Sequence, residues 1–184
     1  MSLAVVYSRA QVGIEAPLVS VEVHLSNGLP SMSIVGLPET AVKESKDRVR
    51  GALINSRFEF PRRRITVNLA PADLPKVGGR FDLPIALGIL AASGQIPQPV
   101  LSSHEFLGEL ALSGELRAVK GVLPAALQAG RQQRTLVLPK DNAAEAALAQ
   151  ATTVLGAKHL LEVTEQLISG LRLTPEPPVQ EQQL

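Results

Sequence analysis

The stretch LPKVGGRFDLPIALGIL, residues 74–90, sets Lys76, Gly78, Gly79, Arg80 and Asp82 directly ahead of a dense apolar run. Adjacent glycines let a loop turn tightly onto a helix N-terminus, a shape shared by phosphate-binding loops and loops that present a nucleophile. A nucleophile needs a hydroxyl or thiol beside a base. The chain has no cysteine, and the nearest serines, Ser93 and Ser113, fit a helix end and a turn. Arg80 offers instead a planar, permanently charged fork suited to carboxylate or phosphate. The alternative use of that fork is an internal pair with an acid such as Asp73 or Asp82.

Two other patterns point to chemistry and fall short. GLPETAVKES (36–45) has the outline of a phosphate loop but lacks the second glycine before its lysine, so its amides do not wrap a triphosphate. His24, His104 and His159 stand far apart, none at metal-ligand spacing with a second histidine or a carboxylate cluster. No metal and no catalytic residue is expected.

Charge adds a binding possibility. The net charge is +1, but residues 43–80 hold ten Lys/Arg against four acids, while the remainder holds eight against thirteen. One basic face on a mildly acidic body suits a polyanion. The candidate polyanion contacts are Lys43, Lys46 and Arg50 on one helix stripe, Arg62, Arg63 and Arg64 at a strand start, and Lys76 and Arg80 in the glycine loop. Asp47 shares the helix stripe, so a salt-bridged solvated face stands beside the polyanion reading. Three consecutive arginines in a strand do not all face one way. Aromatic residues are only 3%, too few for a base-stacking platform.

The elements that must position these residues read as α+β. LAVVYSRA, LVSVEVHLSNG and SMSIVG are strands, with Asn27-Gly28 as a hairpin turn joining the last two. GLPETAVKESKDRVRGALINS is one amphipathic helix burying Val42, Val49, Ala52 and Leu53, with Pro38 in its first turn. RRITVNLAP is a strand. Asp82 is expected to cap a buried central helix, LPIALGILAAS, ended by Gly94. EFLGELALSGELRAV is a hairpin about Ser113-Gly114. GVLPAALQAGRQQ is a helix, TLVLPK a strand, DNAAEAALAQ a helix capped by Asp141, and HLLEVTEQLISG a final helix. The N-terminus has no secretory-signal pattern and the longest apolar run is too short to span a membrane, so a cytoplasmic protein without membrane contact is expected.

PADLPKVGGRFDLPIALGIL taken with GELALSGELRAVKGVLPAALQA and TLVLPKDN resembles the N-terminal domain of the magnesium-chelatase-like ComM/YifB proteins, over roughly residues 3–170. Those proteins are hexameric AAA+ ATPases linked to DNA branch migration in natural transformation. The same blocks more distantly resemble the proteolytic domain of Lon and the C-terminal domain of RadA. The resemblance implies a two-layer Lon-proteolytic-domain-like fold (ribosomal-protein domain 2-like), a mixed sheet with helices on one side. It also implies a domain over 1–172 and a flexible linker, 173–184, towards an ATPase module. Registered on the Lon loop, the serine position falls on Arg80; registered on the hairpin, the lysine position falls on Leu123. The implied role is non-catalytic: no cofactor in this chain, ATP and magnesium in the ATPase module, and partners that are DNA without sequence preference, that module, and neighbouring subunits of a hexamer. Gly78, Gly79 and Asp82 are then loop structure. The alternatives are a degenerate Lon-like peptidase or a magnesium-chelatase-related subunit domain.

Overall fold

The computed structural model describes residues 2–178. Its main sheet is built from β1 (Ser2–Arg9), β2 (Leu18–Ser26), β3 (Ser31–Val35) and β4 (Arg64–Ala70), in the order β1-β2-β4-β3. β2 pairs antiparallel with both β1 and β4, and β3 runs parallel to β4, so the sheet is mixed. Alternation decides its faces: Val19, Val21, Val23 and Leu25 of β2 and Ile65, Val67 and Leu69 of β4 all point into the core. The hairpin expected at Asn27-Gly28 does not form. β4 lies between β2 and β3, because it buries three large apolar side chains whereas β3 buries only Ile34 and suits an edge.

The helix expected over residues 36–56 is two pieces, α1 (Thr40–Lys43) and α2 (Ser45–Asn55). Gly36 and Leu37 have positive φ, and Pro38 bridges to Lys76 rather than opening a helical turn. The amide of Glu39 donates to the Lys76 carbonyl and that of Lys76 to the Leu37 carbonyl, which holds this segment extended. Val42, Val49, Ala52 and Leu53 are buried as the periodicity requires.

α3 (Asp82–Ala92) is buried along its whole length, which is why it carries no polar face. Leu83, Ile85, Leu87, Ile89 and Leu90 are each worth roughly 1.5–3 kcal/mol relative to exposure. Gly88 lets it press on the sheet: a Cβ there would stand 2.4 Å from the Val23 side chain. The cap residue is Phe81, not Asp82, whose carboxylate is engaged elsewhere.

The second half contains β5 (His104–Phe106), the short hairpin β6 (Glu109–Leu110) and β7 (Leu116–Arg117), α4 (Val122–Arg131), β8 (Thr135–Pro139), α5 (Lys140–Ala146), β9 (Val154–Ala157) and α6 (Leu160–Ser169). β5, β8 and β9 form a parallel sheet beside the mixed one. β9 was not anticipated from the sequence. Its four residues have no polar alternation because three of them are buried. Asp141 lies inside the first turn of α5 and makes no cap bond, the helix boundary being set by Pro139. α6 is capped by His159, whose Nδ1 accepts from the Leu161 amide while Nε2 donates to the Ser113 carbonyl.

Residues 171–178 follow without regular structure. The Glu176 amide donates to the Val154 carbonyl at 2.8 Å and its carboxylate meets Lys140 at 2.8 Å. Residues 179–184, the rest of the expected linker, lie outside the described residues.

Candidate functional site

The glycine loop separates into three roles. Lys76 turns inward, with its ammonium donating to the carbonyls of Gly36 and Pro71, and its side chain is fully buried. Burial pushes its pKa down, partly opposed by Asp73. It ties two loops together and is not part of any exposed basic surface, because its ammonium is turned to interior backbone carbonyls.

Asp82 is a structural hub. Its carboxylate accepts from Ser45 Oγ, from Arg48 Nε at 2.7 Å and Nη2 at 3.1 Å, and from the Leu110 amide at 3.0 Å. The loop, α2 and β6 are therefore joined through one buried anion. Arg48 is held above its ordinary pKa chiefly by its bond to Asp82, against the opposing effect of burial.

Arg80 takes neither of the roles expected for it. It is 5% exposed, so it does not extend a basic surface, and it makes no ion pair with Asp73, Asp82 or any other described residue. Its Nε and Nη2 have no hydrogen-bond partner. Desolvation pushes its pKa down to about 10, which still leaves it charged at neutral pH. It lines a cleft of about 400 Å³ with Gln11, Val77, Gly78, Gly79, Glu109 and Lys120. Gly78 has φ +81, in the region that favours glycine, and its amide donates to Glu39 at 2.7 Å. At Gly79 a Cβ would come 2.3 Å from Glu109 Oε1, so this glycine makes space for the carboxylate. Sequence reasoning missed Glu109, Gln11 and Lys120 as neighbours of Arg80. Only the Gly-Glu pair at 108–109, opening the hairpin, marked that region.

The other predicted bases divide. Lys46, Arg50, Arg62 and Arg63 come together along a groove of about 590 Å³, together with Asp47, Met32, Ile54 and Phe60. The Arg50 guanidinium lies 5.2 Å from the Phe60 ring centroid. Arg62 and Arg64 are exposed, while Arg63 is half-buried with Nη2 donating to the Leu25 carbonyl at 3.4 Å, so the three arginines do alternate. Lys43 and Arg64 are exposed but do not line this groove. Among the described residues no group of three or more His, Asp or Glu is arranged to hold a metal ion. No helix there is long and apolar enough to cross a membrane.

The family described as subunit ChlI of Mg-chelatase matches residues 21–142. The competence protein ComM of Haemophilus influenzae is 57% identical over 175 residues, which is 95% of this chain and 34% of that protein. YifB of Salmonella typhimurium is 53% identical over 163 residues, 89% of this chain and 32% of that protein. Rv2897c of Mycobacterium tuberculosis is 40% identical over 173 residues, 94% of this chain and 34% of that protein. The chain thus spans about a third of the length of the curated relatives it matches. On this similarity and on its mixed α+β architecture, the chain belongs to the family of subunit ChlI of Mg-chelatase, as a ComM/YifB-type domain.

Proposed function

We propose that this chain is the non-catalytic N-terminal domain of a ComM-type AAA+ ATPase of natural transformation, with the two-layer Lon-like architecture, and that it engages the DNA backbone. Arg80 and Leu123 stand where a serine-lysine dyad would need its nucleophile and base, and neither side chain performs that chemistry. ATP and magnesium belong to the ATPase module of the longer protein.

The observation that carries the DNA reading is the gathering of Lys46, Arg50, Arg62 and Arg63 along one groove. Four cations against Asp47 suit phosphate contacts made without base readout. In anisotropy titrations with labelled duplex, single-stranded and forked DNA, log K should fall with log salt at a slope of about −3, as expected for three to four neutralised phosphates. A quadruple Lys46/Arg50/Arg62/Arg63 to glutamine variant that still folds should lose that binding. Flat titrations at low salt would sink the reading.

Assembly is the second reading, favoured by exposed apolar side chains at one edge of the sheet. Leu3 and Val5 on β1 and Val12 and Ile14 after it are exposed, Ile14 by 90%. Flat DNA titrations together with concentration-dependent self-association of the longer protein, weakened by Ile14→Ser, would favour it.

A further inference from the structure

A buried guanidinium without an acceptor is costly, because the charge loses water and gains nothing in return. Arg80 is in that state, with Nε and Nη2 buried and unpartnered, and it is one of the residues that line the cleft, which has features that select among anions. Its charged lining is Arg80, Lys120 and Glu109, a net single positive charge. A monoanion balances that lining; a phosphomonoester dianion overshoots it and sits beside the Glu109 carboxylate. The planar guanidinium matches a planar carboxylate in shape and hydrogen-bond spacing. Glu109 makes no ion pair within 4.0 Å among the described residues, its charge acting on Arg48 from farther off, and its oxygens can accept from a donor next to that carboxylate. Glycines leave room for two of the lining side chains: a Cβ at Gly79 would collide with Glu109, and one at Gly121, just before α4, would meet Gln11 at 2.6 Å.

We propose that this cleft binds a carboxylate group, seated on Arg80, with a neighbouring N–H donor of the same ligand directed to Glu109. The ligand is a small N-acylated acid or the C-terminal end of a peptide, which share this chemistry. The site is separate from the basic groove and does not depend on the DNA reading.

The test titrates the protein with N-acetylglycine, followed by isothermal calorimetry and amide chemical shifts. N-acetylglycinamide removes the carboxylate, acetate removes the donor, and inorganic phosphate supplies the wrong anion. An acetylated tetra-alanine with a free or an amidated C-terminus separates a chain end from a small acid. N-acetylglycine should bind saturably, with shifts at Gly78, Gly79 and Glu109, at least tenfold more tightly than its amide or phosphate. Arg80→Met should abolish that binding, and Glu109→Leu, which removes the acceptor, should bring N-acetylglycine towards acetate. If only the small acid binds, the ligand is a metabolite-sized acid; if the free-ended peptide also binds, it is a chain terminus. Equal binding by Arg80→Met, tighter binding of phosphate, or no saturable binding by either carboxylate probe would overturn the assignment. Because Arg80→Met removes an unpaired charge, it should remain folded, and an unchanged amide spectrum away from the cleft establishes that.

Discussion

Arg9 and Arg80 are equally hidden, each 5% exposed, and their surroundings are opposite. Arg9 directs Nε and Nη2 to the two oxygens of Glu105 at 2.7 and 2.9 Å and Nη1 to the Ala16 carbonyl at 3.0 Å. Arg134 adds a third contact to Glu105 at 3.1 Å, with its guanidinium 4.0 Å from the Tyr7 ring centroid. Each nitrogen of the Arg9 guanidinium is answered from within the chain, two of them across strands far apart in sequence. Arg80 has no such answer. Burial of an arginine therefore has two meanings in this molecule. Where acceptors are built in, it joins elements; where they are missing, stability is given up and an acceptor from outside is implied.

The largest effect should come from breaking the satisfied side. Glu105→Ala leaves Arg9 buried and uncompensated, and should lower the unfolding free energy by about 3–5 kcal/mol in urea denaturation. The double change Arg9→Met with Glu105→Leu should cost less, because the buried Arg9 charge leaves with its partner and only the partly exposed Arg134 loses an ion pair. A double variant as unstable as Glu105→Ala would mean that packing, not charge pairing, holds β1 to β5.

Arg80→Met should act in the opposite direction and raise stability by roughly 1–3 kcal/mol at neutral pH, since it removes a desolvated charge without removing any bond. The sign follows from its pKa. The folded protein disfavours the charged form, with a pKa pushed by burial from the ordinary arginine value down to about 10. The penalty is thus fully present below about pH 10 and fades as the pH rises from there towards the unfolded value. A destabilised Arg80→Met would show that the stem packing of this side chain outweighs its charge.

The sequence made parts of this contrast legible. Strand alternation and helix periodicity gave the core faces of β2, β4 and α2, and the apolar run after Asp82 gave the buried α3, because each rests on local spacing. Partner choice between distant elements was not local. Asn27-Gly28 has the residues of a hairpin turn, yet the competition that put β4 beside β2 was decided by residues 65–69. The same limit applies to the site. Composition marked residues 43–80 as basic, but the separation of Lys76 and Arg80 from the groove bases depended on carbonyls at Gly36 and Pro71 and on Arg48 occupying Asp82. Arg80 and Asp82 are two residues apart and still do not pair, because the turn sends one into the cleft and the other towards α2.

A smaller effect sharpens the comparison from beside Glu105. His104 precedes it on β5, is half-buried, and stacks on Phe106 with ring centroids 5.8 Å apart. Burial lowers its pKa, partly offset by the bond from Nδ1 to the Val100 carbonyl at 2.8 Å. The folded state therefore resists taking up the proton that the unfolded chain accepts near its ordinary value of 6.5. Stability should be full above that value, decline as the pH falls through it, and level off below the depressed folded pKa. Urea midpoints between about pH 7.5 and 5 should show the decline, and His104→Gln should flatten it. A wild-type midpoint that rises on acidification would mean that the fold compensates this cation as it does Arg9, rather than leaving it unanswered as it does Arg80.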